Sequence, residues 1–176
     1  MTELEQAELK RWIRDIPDFP KPGILFRDIT PLLQNGPVFQ RVIEQFADRY
    51  VSRQVEAVVA IESRGLIFGS ALAYRLGAGL VPVRKAGKLP HKTIQATYTL
   101  EYGKGVLEVH ADSLKAGMRV ILMDDLLATG GTMGATIELV EHFRAFLLEV
   151  AFVVELTALK GRSRLGNHPV CSLVYY

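Results

Sequence analysis

Residues 119–132 read Arg-Val-Ile-Leu-Met-Asp-Asp-Leu-Leu-Ala-Thr-Gly-Gly-Thr, and their order decides how the rest of the chain is read. A short apolar run, Val120 to Met123, ends in two adjacent carboxylates, Asp124 and Asp125. A small-residue turn follows, Ala128-Thr129-Gly130-Gly131-Thr132, and leads straight into a helix-like segment. An apolar run of this length, bounded by turn residues, is the pattern of a buried parallel strand. Ligands of open α/β sheets sit just beyond the carboxyl ends of such strands. Glycines there let backbone N–H groups converge on an anion, and the helix N-terminus and threonine hydroxyls add to the attraction. The turn therefore suits a phosphate monoester. The acids in front of it would repel phosphate, so they suit a polyol such as a ribose diol, or a metal bound to the substrate. Together the two features point to a phosphorylated sugar. No G-x-x-x-x-G-K-[ST] loop is present, and Gly131-x-x-Gly134 lacks the first glycine of a dinucleotide fingerprint.

The rest of the chain reads as one soluble domain. Its 176 residues are enough for a sizeable core and too few for two comfortable ones. Hydrophobic content of 49% and charged content of 23% are ordinary globular values. Lys+Arg of 21 against Asp+Glu of 19 leaves a net +2, which implies neither a nucleic-acid nor a membrane partner. The single cysteine, Cys171, fits a reducing compartment and reads as a strand residue. No secretory signal or membrane-length apolar run is visible, so a cytoplasmic enzyme is expected.

Outward from the quoted stretch, strands and helices alternate. A helix is expected over 3–14, ended by the proline-rich IPDFPKPG segment, where no regular structure is expected. Val38, Val42, Ile43, Phe46 and Tyr50 form a helical stripe over 37–50. AVVAI (57–61) and LVPV (80–83) read as strands, with a helix following the ESRG turn. Residues 97–109 alternate about YGKG as a hairpin should, and a helix over 132–146 precedes a strand near 151–156. The expected fold class is α/β: a doubly wound, mostly parallel sheet flanked by helices, with an inserted β-hairpin.

DDLLATGGTM resembles the phosphoribosyl pyrophosphate (PRPP) signature of type I phosphoribosyltransferases, in a form close to that of adenine phosphoribosyltransferases. The resemblance implies that Asp124 and Asp125 bind the ribose hydroxyls, and that Ala128, Thr129, Gly130, Gly131 and Thr132 hold the 5′-phosphate. Glu62-Ser63-Arg64-Gly65 is similar to the family's pyrophosphate-binding turn. Arg64 has the forked donors for that task, and Gly65 lets the backbone come close. RKAGKLP resembles the family's RKPGKLP, which marks Arg84, Lys85 and Lys88 as pyrophosphate or lid residues, with no role for His91 or Lys92. A loop that closes there would exclude water, and the 84–103 segment is expected to be mobile until its anion arrives. Tyr98 to Gly103 matches Y-x-L-E-Y-G and makes Glu101 the catalytic candidate, either as acceptor of the N9 proton or as stabiliser of charge at C1′. GILFRDIT resembles the family's base-binding segment. There Phe26 stacks on the purine, and backbone groups of Leu25 and Arg27 read its edge.

The similarity runs over about 20–159. It implies one phosphoribosyltransferase domain over 1–176, with an N-terminal hood (about 1–36) and a lid loop and hairpin (about 84–110). It also implies purine salvage from adenine and PRPP to AMP and pyrophosphate. Mg²⁺ would be carried mainly by substrate oxygens and water with no resident protein metal site, and the enzyme would be a homodimer. A transferase for hypoxanthine, guanine, xanthine or orotate is the rival enzyme reading, opposed by GILFRDIT and TLEYG. A sensing regulator on the same fold is the other, opposed by the short segment ahead of the hood. One departure stands out: Arg144 occupies a position where many relatives have glycine, followed by the apolar Phe146-Leu147-Leu148. That leaves the geometry of the helix end and subunit packing open.

Overall fold

The computed structural model describes residues 3–100 and 103–176. Its centre is a seven-stranded sheet in the order β5-β6-β4-β3-β7-β8-β9. The parallel strands are β3 (Ala57–Ile61), β4 (Gly79–Lys85), β7 (Arg119–Leu127), β8 (Phe146–Glu155) and β9 (Val170–Tyr175). The hairpin of β5 (Thr93–Leu100) and β6 (Gly103–His110) is antiparallel and continues the sheet beyond β4.

Strand alternation sends one set of side chains to each face, and both faces are covered. Val58 and Ala60 of β3 join Ile121 and Met123 of β7 beneath α3 (Gly36–Tyr50) and α4 (Arg64–Leu76). Val59, Ile61, Val120 and Leu122 point the other way, into the core with Met133, Ile137 and Val140 of α5 (Gly131–His142). All five residues of β3 are buried, as a central parallel strand requires. The sheet is thus doubly wound and mostly parallel, as expected.

Three boundaries differ from the sequence reading. Helix α1 (Glu3–Lys10) stops short of 14, because Arg14–Pro17 leaves to form β1, paired antiparallel with β2 (Leu25–Asp28). The proline-rich stretch therefore does contain a strand. Pro17 is tolerated at its end, opposite Leu25, on a two-stranded ribbon where a missing donor costs little. Asp28 ties this ribbon down. Its Oδ1 accepts from the Thr30 hydroxyl and N–H at 2.6 and 2.9 Å, and Arg14 Nη2 donates to Oδ2 at 2.6 Å. Led by the Thr30 hydroxyl bond, these donors hold the carboxyl down at about 2. Strand β7 runs on to Leu127, so the two acids lie inside the strand rather than after it.

The third difference is the end of α5, at His142 rather than 146. Phe143 caps it, Arg144 takes a left-handed φ of 54°, and Phe146 already begins β8. The apolar run is thus the start of a strand, with Leu148 buried, and not a helix extension. A side chain in this region costs about 1–2 kcal/mol, partly offset in glycine's case by a looser unfolded chain. Arg144→Gly is therefore expected to raise the melting temperature by about 2 °C. Calorimetry checks this, and a lower melting temperature would refute it.

Candidate active site

The carboxyl ends of β3, β4 and β7 open onto one cavity of about 690 Å³. Glu62, Ser63 and Arg64 enter it from the β3–α4 turn, and Arg84 and Lys85 from the end of β4. Asp124, Asp125 and Thr132 enter from β7 and the start of α5, Phe26 from the hood, and Tyr98 and Leu107 from the hairpin. A niche of about 80 Å³ adjoins it, lined by Ala128, Thr129, Gly130, Gly131 and Thr132, with Asp124, Leu126 and Thr132 common to both. The backbone of the α5 N-terminus faces this niche, and no acidic residue stands in its first turn. An anion there meets the favourable helix dipole and the turn's N–H groups, with Asp124 the acidic residue in the niche's lining.

Arg64 is the hinge of the electrostatics. Its Nε lies 2.7 Å from Asp125 Oδ2, and its guanidinium sits 5.2 Å from the centre of the Phe26 ring. Asp125 is only 5% exposed. Burial raises its pKa, and Arg64 opposes that rise. Asp124 is half-buried and is pushed well above the ordinary value, first by burial and then by the neighbouring carboxylate. Two acids held this close favour any ligand that brings hydroxyl donors. Gly65 makes the arrangement possible. A Cβ there would lie 2.6 Å from Asp124 Oδ1 and 3.1 Å from its Cα, so the glycine makes room for the acid rather than for the ligand.

Glu62 is joined to Arg84, whose Nε donates to Oε2 at 2.5 Å. Burial works against the Glu62 charge, but the Arg84 hydrogen bond and nearby Lys85 outweigh it and hold the pKa below the usual range. Lys88 is exposed, and its side chain does not line the cavity. Leu25 and Arg27 do not line it either. The Arg27 guanidinium turns away, to Asp15 and to the face of Tyr176 at 3.7 Å, which leaves only its backbone for a ligand. Glu101 lies outside the described residues.

Several contributors escaped the sequence reading. Gly161 backs the niche: a Cβ on it would strike the Ala128 carbonyl, and a Cβ on Gly130 (φ 80°) would strike the Gly161 carbonyl. Arg162 holds that turn through Nε and Nη2, each 2.7 Å from a buried Glu155 oxygen, and the Ser172 hydroxyl donates to the same carboxylate at 2.6 Å. Glu108, 2% exposed, fastens the basic turn from behind. A lone glycine between two helical turns and glutamates within strands carry no spacing signal. Only the fold brings them to the site.

A strand-end acidic pair, an anion niche at a helix N-terminus and a basic turn across the cavity define a site for a phosphorylated sugar with a second anionic group. The phosphoribosyl transferase domain model matches residues 28–170, which fixes the class. An adenine phosphoribosyltransferase of Carboxydothermus hydrogenoformans is 57% identical over 96% of this chain and 99% of its own. The Saccharomyces cerevisiae adenine phosphoribosyltransferase superposes with a TM-score of 0.92 at 45% identity, covering 98% of this chain and 99% of its own. It was crystallised with adenine and an imino-altritol bisphosphate. The Trypanosoma brucei enzyme, in complex with AMP, pyrophosphate and ribose-5-phosphate, gives 0.91 at 30% identity, over 99% of this chain and 80% of its own. The chain belongs to the adenine phosphoribosyltransferase family. Its reaction is purine salvage, the passage of a 5-phosphoribosyl group from PRPP to adenine with release of pyrophosphate.

Proposed function

We propose that this cavity runs that reaction with the ribose diol of PRPP on Asp124 and Asp125 and the 5′-phosphate in the 128–132 niche. Pyrophosphate lies against Ser63, Arg64, Arg84 and Lys85. The observation that carries the reading is convergence: three strand ends and one hood residue supply complementary groups to one cavity, continuous with an anion niche. Glu62 serves as the orienting partner of Arg84, because a carboxylate facing pyrophosphate directly would repel it. Lys88 acts from the exposed turn.

Adenine stacks on Phe26. The Ile24 carbonyl accepts from Phe19 N–H at 3.3 Å, and Pro17 has no N–H to give Leu25. In the alternation of an antiparallel pair, Phe26 and Asp28 are then the residues bonded to β1, and the backbone groups of Leu25 and Arg27 point outward. Those free groups match a purine edge. The adenine N9 lone pair forms the new bond to C1′ as the C1′–O bond breaks, and pyrophosphate leaves with the bonding pair. Arg64, Arg84 and Lys85 neutralise the leaving group while the two aspartates fix the ribose, so catalysis is positioning plus electrostatics. The N9 proton passes to a base or to water. Glu101 is our candidate for that base, or for a carboxylate that stabilises charge at C1′.

Mg²⁺ would ride on PRPP and pyrophosphate oxygens and water. The oxygen donors of the cavity, Asp124, Asp125 and Ser63, are the hard ligands it accepts, and the ion would supply charge neutralisation. Among the described residues no cluster of three His, Cys, Asp or Glu forms a metal cage. A homodimer is supported by exposed apolar side chains on α4, where Ile67 and Tyr74 lie one heptad apart and are exposed by 42% and 89%. Sedimentation of a monomer at assay concentration would remove that part of the reading. A cytoplasmic setting is supported by the single cysteine, Cys171, whose thiol is pushed up by burial and is poorly reactive.

A spectroscopic assay with PRPP, Mg²⁺ and each nucleobase in turn tests the whole. Adenine should give AMP and pyrophosphate only when Mg²⁺ is present. Turnover unaffected by chelation would contradict the leaving-group chemistry.

A further inference from the structure

The basic turn after β4 is held by a buried carboxylate that does not itself line the cavity. Glu108 alternates with Leu107 on β6 and shares a face with its register partners Arg84 and Gln95, yet it is not part of the cavity lining. That side chain is 2% exposed and is surrounded by donors. Lys88 N–H and Leu89 N–H both donate to Oε1 at 2.9 Å, while the Thr93 hydroxyl and the Gln95 amide reach Oε2 at 3.3 Å. Burial opposes its charge, yet the turn's backbone donors keep it ionised, below the usual glutamate range. Among the described residues its hydrogen-bond donors are backbone amides, a hydroxyl and a side-chain amide, with no cation paired to it. A buried carboxylate satisfied by backbone N–H groups fixes those groups closely, because each is bonded to a charge that has nowhere else to turn.

The turn so fixed leads on to the cavity. The Lys88 carbonyl accepts from Arg84 Nη1 at 3.4 Å, and the same guanidinium donates through Nε to Glu62 in the turn across the cavity. Arg84 and Glu108 are also direct partners in the β4–β6 register. We propose that Glu108 is a positioning residue for pyrophosphate, setting the 84–89 turn so that Arg84 and Lys85 meet the departing anion. It touches no substrate itself. The inference rests on the assignment of pyrophosphate to Arg84 and Lys85, and it narrows the expectation of a mobile 84–103 segment. The turn at its start is anchored before any anion binds.

Two variants and one wild-type measurement test it. Glu108→Gln keeps the shape and removes the charge. Glu108→Asp keeps the charge and draws the oxygens back by about one C–C bond, roughly 1.5 Å. Both should raise the KM for PRPP and the inhibition constant of pyrophosphate by about tenfold, the scale of a lost charge-assisted hydrogen bond, with the adenine KM unchanged. The comparison is Glu149→Gln. That carboxylate is equally buried, held by Arg49 and Tyr50 at 2.6 and 2.8 Å away from the cavity, and should lower the melting temperature without moving either constant. In the unaltered enzyme without ligand, the Lys88 and Leu89 amides should be protected from hydrogen exchange. Rapid exchange of both amides would overturn the proposal whatever the variants do. So would PRPP and pyrophosphate constants within twofold of wild type in the folded variants. An Arg84→Ala enzyme with normal pyrophosphate inhibition would instead show that the underlying pyrophosphate assignment had failed.

Discussion

Asp124→Asn should be nearly inactive and more stable than the parent at neutral pH. The loss follows from the ribose: a hydroxyl bonded to a charged acceptor contributes roughly 1.5–3 kcal/mol, so kcat/KM for PRPP should fall on the order of 10²-fold. The gain follows from the sign of the pKa shift. Burial, followed by the Asp125 charge, raises Asp124 well above 3.8 in the folded protein. The folded state then binds the proton more tightly than the unfolded chain does, so the charged form costs stability once the pH exceeds the ordinary carboxylate range. Asparagine removes that cost and can keep the acceptor that Asp125 N–H uses at 2.9 Å. Melting temperature should therefore rise at pH 7–8, and the gain should shrink as pH falls toward about 4. A variant that loses stability together with activity would show Asp124 to be a scaffold residue.

Adenine should be preferred over hypoxanthine by a factor on the order of 10⁴ in kcat/KM, since the wrong base leaves buried polar groups unpaired. Adenine offers an N6 donor beside an N1 acceptor. Hypoxanthine offers a carbonyl beside an N1–H, and would set donor against donor on the fixed backbone of Leu25 and Arg27. Phe26 contributes a ring face that serves any purine. It is held edge-to-face by Phe19 at 5.1 Å and flanked by Arg64. Phe26→Ala should thus raise the adenine KM and leave the preference intact. Comparable kcat/KM for the two bases in the parent enzyme would promote the 6-oxopurine reading.

The parallel sheet was legible in the sequence because its strands are apolar on both faces. AVVAI was read to the residue, and the stripe of α3 within one. Errors fell where tertiary contacts override local pattern. Arg14 reads as helix and the following IPDFPKPG as a breaker until Leu25–Asp28 is available to pair with Arg14–Pro17. Helix α5 is cut short by the left-handed Arg144, a conformation that the residue itself does not advertise. For the site, adjacency along the chain exposed the acids, the small loop and the basic run. The supports were hidden, because Glu108, Glu155 and Gly161 act across strands or turns far from their partners in sequence. Gly65 was legible as a close approach but not as one to Asp124, which comes from a strand some sixty residues later.

A crystal structure of the unaltered protein with PRPP and Mg²⁺, or with AMP, addresses the site most directly. The expected result places the ribose 2′- and 3′-hydroxyls within hydrogen-bond distance of Asp124 and Asp125, the 5′-phosphate on the 128–132 backbone and the purine against Phe26. A phosphate bound on the Arg84–Lys88 turn with the 128–132 niche empty, or a ribose that avoids both aspartates, would contradict it.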